Sequence, residues 1–324
     1  MTITTTTGAR IRPALAAMND RSRALDPQLP DRAFDDDDPI LAALDGDAVR
    51  AVGRVSVAHL AQDQPAAIWG ALHRAELELG WSGDAGAMGE LLDAWLAEAA
   101  ERMRRAGADA TTDWETSCSL RVPARDSAAV KPLLARGFAV VGVEGIRVGS
   151  RGADGEAAQR RLSAAGVRLR PARLDDLALL TELDTELFAH DAQHGSITRR
   201  PQAGASLRAG IEARLHRDPE WTWIVECGDD QVGYVSLETD RAEHLGRVAP
   251  GADIAFLQAM YLRPEVRGSR IGEAVVEFAH ARLEERGYDR VLLDYAALNP
   301  RSGPFWCRMG YRPLWNLWQR RPAG

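Results

Sequence analysis

The chain contains a near-copy of part of itself, and an internal repeat of this kind restricts it to architectures built twice. Met88-Gly89-Glu90-Leu-Leu-Asp-Ala-Trp95 is matched by Ile271-Gly272-Glu273-Ala-Val-Val-Glu-Phe278. Downstream of each stands a Gly with an Asp two places on, Gly107 with Asp109 and Gly287 with Asp289. Asp113-Trp114 then parallels Asp294-Tyr295, and Gly137-Phe138 parallels Gly310-Tyr311. These correspondences keep one order, which predicts two copies of one architecture. The 324 residues leave room for two ordinary domains.

Both repeated segments read as amphipathic helices. Met88, Leu91, Leu92, Trp95, Leu96, Ala99 and Met103 keep an i, i+3, i+4 rhythm, as do Ile271, Ala274, Val275, Phe278 and Leu283. The second half further predicts strands at 167–170, 221–226, 232–238, 254–262, 291–296 and 311–319. Helices are expected at 175–190, 207–215, 270–286 and 304–309. Trp221 and Trp223 alternate with Thr222 and so face one way, into a core or interface. The order is α/β, with a mixed central sheet flanked by helices in each copy.

Four segments follow. Residues 1–34 are polar and aperiodic and run into Asp35-Asp-Asp-Asp38, so they read as a flexible leader. Residues 35–148 form the first copy, 149–166 are small and charged and read as a linker, partly helical, and 167–324 form the second copy.

Charge and cysteine usage narrow the function classes. A formal charge of −7 argues against a nucleic-acid surface. Cys118, Cys227 and Cys307 are widely spaced with no CxxC pair, which predicts neither a disulfide framework nor a metal cage and fits a reducing cytoplasm. Cys307 is expected in the core. No apolar run approaches the roughly 18 residues that a membrane span needs, and the Thr-rich start lacks the apolar core of a signal peptide. The expected location is cytoplasmic.

The stretch carrying most chemistry is Met260-Tyr-Leu-Arg-Pro-Glu-Val-Arg-Gly-Ser-Arg-Ile-Gly-Glu273. A strand ends, a short turn carries Arg267, Gly268 and Ser269, and a helix opens at Arg270-Ile271-Gly272. Free N–H groups, the positive end of a helix dipole and two arginines converge on one small volume suited to a pyrophosphate. This stretch resembles the acyl-CoA-binding motif of the GNAT (GCN5-related N-acetyltransferase) superfamily, Arg/Gln-x-x-Gly-x-Gly/Ala. Here it reads Arg267-Gly-Ser-Arg270-Ile-Gly272, with Arg270 in place of the middle glycine. The arginine crowds the turn but adds a guanidinium that can fork onto phosphate oxygens.

The resemblance covers 167–320 well and 40–148 weakly, and it implies a tandem protein with a degenerate first copy. It implies that acetyl-CoA is the acyl donor, with Met260, Tyr261, Leu262, Arg267, Gly268, Ser269, Arg270, Ile271, Gly272, Glu273 and Asn299 holding it. It also implies direct attack of a small-molecule amine on the thioester, with the Leu262 N–H receiving charge on the carbonyl oxygen. The family's acid, a Tyr four residues before the last Gly-Phe/Tyr pair, is replaced by Trp306, whose indole donates a hydrogen bond but does not ionise usefully. Glu238 and Asp253, at strand ends, are the candidate bases. His190 and Asp191 lie in the segment that lines the acceptor site in such folds. No metal is expected, and monomer and homodimer stay equally open.

An offset of 183 between the copies puts Asp84 where the second has Arg267, and Leu133 opposite Trp306. A carboxylate there repels a pyrophosphate, so the first copy is expected to be silent. The drift at Arg270, Trp306 and Asp84 keeps a second reading open, a non-catalytic acyl-CoA sensor or scaffold. O-acylation, or a longer acyl chain, is a third.

Overall fold

In this computed structural model, which describes residues 1–150, 152–195, 197–239, 245–251 and 253–324, the chain divides into two units. Residues 1–144, 247–250 and 313–324 make the first; residues 145–246 and 251–312 make the second.

The first unit begins with β1 (Thr2–Thr7) and α1 (Gly8–Leu25). β2 (Pro39–Asp45), β3 (Ala48–His59), β4 (His73–Trp81), α2 (Ala85–Arg105), β5 (Thr116–Pro123) and α3 (Val130–Leu134) follow. β6 (Ala139–Val148) leads out of it, the second unit taking over at Gly145. There the chain forms α4 (Gly155–Ala164), β7 (Val167–Pro171), α5 (Leu177–Asp191) and α6 (Ala203–Arg217). β8 (Thr222–Cys227), β9 (Asp230–Glu238), β10 (Ile254–Leu262), α7 (Ile271–Glu285), β11 (Arg290–Ala296) and α8 (Ser302–Arg308) complete it. β12 (Arg312–Arg320) returns to the first unit from Pro313.

In the first unit the strands lie in the order β1-β2-β3-β4-β5-β12, and in the second β11-β10-β9-β8-β7 lie side by side. Each has one inner parallel pair, β4–β5 and β10–β11. The first unit takes its last strand from the end of the sequence, β12 pairing antiparallel with β5.

Helices cover both faces of each sheet, as the apolar periods require. In α2, Met88, Leu91, Leu92, Trp95, Ala99 and Met103 are fully buried, and Trp95 stacks on Phe138 with centroids 5.8 Å apart. On the opposite face α1 places Ile11, Leu15 and Met18 against Ile40, Ala42 and Val52. In the second unit α4 and α7 cover one face. The other holds Leu177, Leu180 and Leu183 of α5 and Ile211 and Leu215 of α6 against Ile224, Tyr234 and Tyr261. Each large apolar side chain so buried contributes about 1.5–3 kcal/mol.

Two expectations at segment level are corrected. Residues 1–34 are not a flexible leader: β1 pairs antiparallel with β2, and α1 buries Ile11, Leu15 and Met18. The apolar stripe is sparse, one residue per turn, and Pro13 lies inside the helix, so the period is faint. Residues 149–166 are not merely a linker: α4 is capped by Asp154, which accepts from Ala157 N at 2.8 Å, and it buries Ala158 and Leu162. With two buried residues the helix shows no readable period, yet it packs with α7 and belongs to the second unit.

Candidate functional site

The site grows from a disagreement in length between two strands. β11 pairs in parallel with β10 only over Ile254–Phe256, while β9 pairs with β10 along its length to Leu262. Gln258 is the extra residue of a bulge between Leu257 and Ala259, and such a bulge bends the strand locally. Beyond it Arg263 N donates to Val232 O at 2.8 Å. Antiparallel pairing alternates, so the N–H and C=O of Leu262, and of Met260 two residues back, turn away from β9 toward the side that β11 has left. Gly233 lets the strands approach: a Cβ there would press into the Tyr261 carbonyl and lie 2.8 Å from Leu262 Cδ2.

At the end of β10 the chain turns into α7. Arg267 Nε donates to the Leu262 carbonyl at 2.7 Å, and its guanidinium carbon lies 5.4 Å from the Tyr261 ring centroid. Gly268 takes φ +85° with open space around the position of a Cβ. Ser269 Oγ donates to Val266 O at 2.9 Å. Arg270 is the one non-glycine residue with positive φ (62°) among the described residues, and it occupies the N-cap position of α7. Its exposed side chain donates from Nε to Glu273 at 2.8 Å. Ile271 is buried, and a Cβ on Gly272 would meet Met260 Cε at 3.2 Å, Leu262 Cδ1 at 3.5 Å and Phe305 Cε2 at 3.6 Å. The left-handed turn leaves the first N–H groups of α7 unpaired within the helix, a cradle that fits an anion.

The last turns of α5 approach this loop. Arg263 is held by Glu182 and Glu186, and Glu186 also accepts from the Tyr261 hydroxyl. One helix face carries Asp184 and Asp191. The buried Tyr234 hydroxyl donates to Asp184 Oδ1, and burial pushes the Asp184 carboxyl up. Asp191 is hydrogen-bonded to the side chain of Asn299. Burial raises its pKa to about 6, opposed by His194 and Asn299 and reinforced by Asp184. Asn299 is 6% exposed, and its Oδ1 accepts from Arg301 N at 3.0 Å. His190 packs edge-on to His194, centroids 5.1 Å apart. Burial, then the charges of Arg267, His194 and Arg301, hold His190 below the usual imidazole range.

The structure thus gathers His190, Asp191, Asn299, Arg267 and the end of β10, and separates two other expected groups, Glu238 and Asp253, from them. Glu238 is buried opposite Phe256, six residues or roughly 20 Å of strand from Leu262. Asp253 is exposed and precedes the first residue of β10, roughly 30 Å of strand from Leu262. Neither reaches the Leu262 N–H. Trp306 is spent on packing, edge-on to Phe305 at 4.8 Å and to Tyr311 at 5.6 Å. Cys307 is exposed rather than in the core. Tyr295 on β11 was not singled out by the sequence. Its hydroxyl would lie 3.9 Å from a Cβ on Gly303, at the start of α8, and burial raises its pKa, so it stays protonated and can donate. The repeat pairs it with Trp114, which was the available signal. No group of three or more potential metal ligands, and no helix long and apolar enough to cross a membrane, occurs among the described residues.

In the first unit the matching turn is closed by its own side chains. Asp84 caps α2, accepting from Gly86 N at 2.9 Å and Ala87 N at 3.1 Å. Its carboxylate occupies the donors that an anion would need. Arg21 stacks on Trp81, 4.5 Å from the ring centroid, and forks onto Asp126 at 2.6 and 2.7 Å, while Trp81 Nε1 donates to Asp126 at 2.9 Å. Leu133 is fully buried.

Comparison with known proteins agrees with this geometry. Residues 182–311 match the family model described as Acetyltransferase (GNAT) family. Among solved structures, a GCN5-related N-acetyltransferase from Sphaerobacter thermophilus superposes with a TM-score of 0.62 at 13% identity, over 99% of this chain and 96% of that one. The GCN5-related glucosamine N-acetyltransferase region of a fungal multi-domain GH3 beta-N-acetylglucosaminidase superposes with a TM-score of 0.56 at 14% identity, over 98% of this chain and 38% of that one. No curated protein matches the sequence. The two likenesses span both units, and at these identities they establish the fold.

Proposed function

We propose that this chain, whose residues 182–311 match the GNAT acetyltransferase family model, transfers an acetyl group from acetyl-CoA to a small-molecule amine. The observation that carries the reading is the parting of β10 from β11 after Phe256. It turns the Met260 and Leu262 backbone groups into a gap that ends at the Gly268–Ile271 turn. Acetyl-CoA supplies an activated thioester. The α7 N-terminus with Arg267 and Arg270 would hold its pyrophosphate, and the backbone edge of β10 would pair with its amide-bearing arm. The Leu262 N–H would receive charge on the carbonyl oxygen, and Tyr295 would donate to the departing sulfur. A thiol with a pKa near ~8.5 leaves with only a hydrogen bond, so burial of Trp306 in the core does not forbid turnover.

A second reading, a non-catalytic acyl-CoA sensor, is favoured by that same burial of Trp306. Calorimetric titration with acetyl-CoA, with Arg267→Glu alongside, tests binding. Thiol release across a panel of amines then separates enzyme from sensor. Micromolar binding lost in the variant, with amine-dependent thiol release, is the expected result; binding without release supports the sensor, and no binding at millimolar acetyl-CoA ends both readings.

A further inference from the structure

We infer that Asp191 is the group that binds the acceptor as its ammonium ion and removes the proton before transfer. The inference rests on the acetyl-transfer reading and deepens it by fixing the acceptor's charge and the base. Asp191 ends α5, the helix whose Glu182 and Glu186 bind Arg263 directly after β10. It is hydrogen-bonded to Asn299, which follows β11. Tyr234, which interacts electrostatically with Asp191, lies opposite Tyr261 in the β9–β10 register, one residue before Leu262. Three elements therefore converge on the end of β10, and Asp191 is the carboxylate common to them.

Charge separates Asp191 from the other candidate base there. His190 has Arg267 and Arg301 as neighbours, which repel a cation. Asp191 has Asp184 beside it on the same helix, and His194 opposes it electrostatically. Arg214 counters Asp184 rather than Asp191. Two carboxylates that both interact with the buried Tyr234 phenol attract a cation, and a carboxylate raised by burial accepts a proton more readily than an exposed one. In the step itself the carboxylate takes one proton from the ammonium. The freed nitrogen pair forms the C–N bond to the acyl carbon, the C–S bond breaks, and its electron pair leaves on sulfur. That sulfur is protonated from Tyr295 or solvent. A primary or secondary amine that is cationic in water is the acceptor class that this arrangement takes.

The test uses the full chain, acetyl-CoA, and tyramine, putrescine and glucosamine as probes, with thiol release followed from pH 5 to 9. For the probe turned over fastest, Asp191→Asn should lower kcat by about 10²–10⁴-fold while acetyl-CoA affinity from calorimetry stays within about twofold. The acid limb of the wild-type kcat profile, near pH 6, should vanish. Asp191→Glu should keep the limb at reduced rate, and His190→Gln should also keep it. An Asp191→Asn enzyme with wild-type rate and limb, or a limb that disappears with His190 instead, overturns the inference and leaves the acetyl-transfer reading standing. A wild type that binds acetyl-CoA and releases no thiol with any probe overturns the reading, and the inference with it.

Discussion

Arg267 Nε donates to the carbonyl oxygen of Leu262 at 2.7 Å, so one side chain ties the turn to the strand whose backbone faces the gap. The guanidinium does two things at once, because its Nη atoms remain for an anion while Nε holds the carbonyl. Arg267→Lys keeps the charge and loses the fork. It should weaken acetyl-CoA binding about tenfold, and Arg267→Glu by at least a hundredfold, both read by calorimetry. Equal affinities for Lys and Arg would show that charge alone matters.

Arg270 holds a left-handed backbone at φ 62°, a conformation that costs an ordinary residue about 1 kcal/mol relative to glycine. Its exposed hydrogen bond to Glu273 offsets little of that. Arg270→Gly should therefore raise the melting temperature by roughly 2–4 °C, and it also restores the glycine of the family pattern. An unchanged or lower melting temperature would mean that the arginine is held by more than its own turn.

Gly233 faces a different constraint, a backbone rather than a dihedral angle. A methyl there meets the Tyr261 carbonyl and Leu262, which cannot rotate aside. Gly233→Ala should cost about 1–3 kcal/mol in denaturant unfolding. Because it pushes β9 from β10, it should also reduce acetyl transfer more than acetyl-CoA binding.

In the first unit, Asp84 fills its own helix N-terminus. Asp84→Ala should destabilise the protein by about 1 kcal/mol through the lost cap. It should not create a second acetyl-CoA site, since Arg21 and Asp126 stay locked over Trp81. Calorimetry with a stoichiometry of two would contradict this.

What the sequence conveyed followed the strength of its periods. α2 and α7 bury dense apolar stripes, and both were legible, as was β10, read as Ile254–Leu262. α1 and α4 place one apolar residue per turn or two in all, below what periodicity detects. The return of β12 to the first unit was invisible because strand order is set by long-range pairing, while local pattern reports only the strand. At the site, the anion cradle is a local turn and was readable from Arg267, Gly268 and Gly272. The acceptor side joins α5, β9 and the end of β11, more than 100 residues apart from Asp191 to Asn299. No spacing rule connects those positions, so their convergence was not legible.

The elevated pKa of Asp191 makes a stability prediction that does not depend on finding the acceptor. In the folded protein this carboxyl titrates at about 6, against 3.8 unperturbed, because burial disfavours its charged form. Between those values the folded state binds more protons than the unfolded state, so the group lowers stability as pH rises through that window. The penalty is absent below about pH 4 and complete above about pH 6, with an upper bound of about 3 kcal/mol. Asp191→Asn removes the charge while keeping the shape. It should melt several degrees above the wild type at pH 8, and the difference should close as the pH falls toward 4. Calorimetric scans at the two pH values check this, and a variant less stable than wild type at pH 8 would mean that the ionised carboxylate is held by partners stronger than Asn299 and His194. A residue that costs stability in its charged form is expected where function requires that charge.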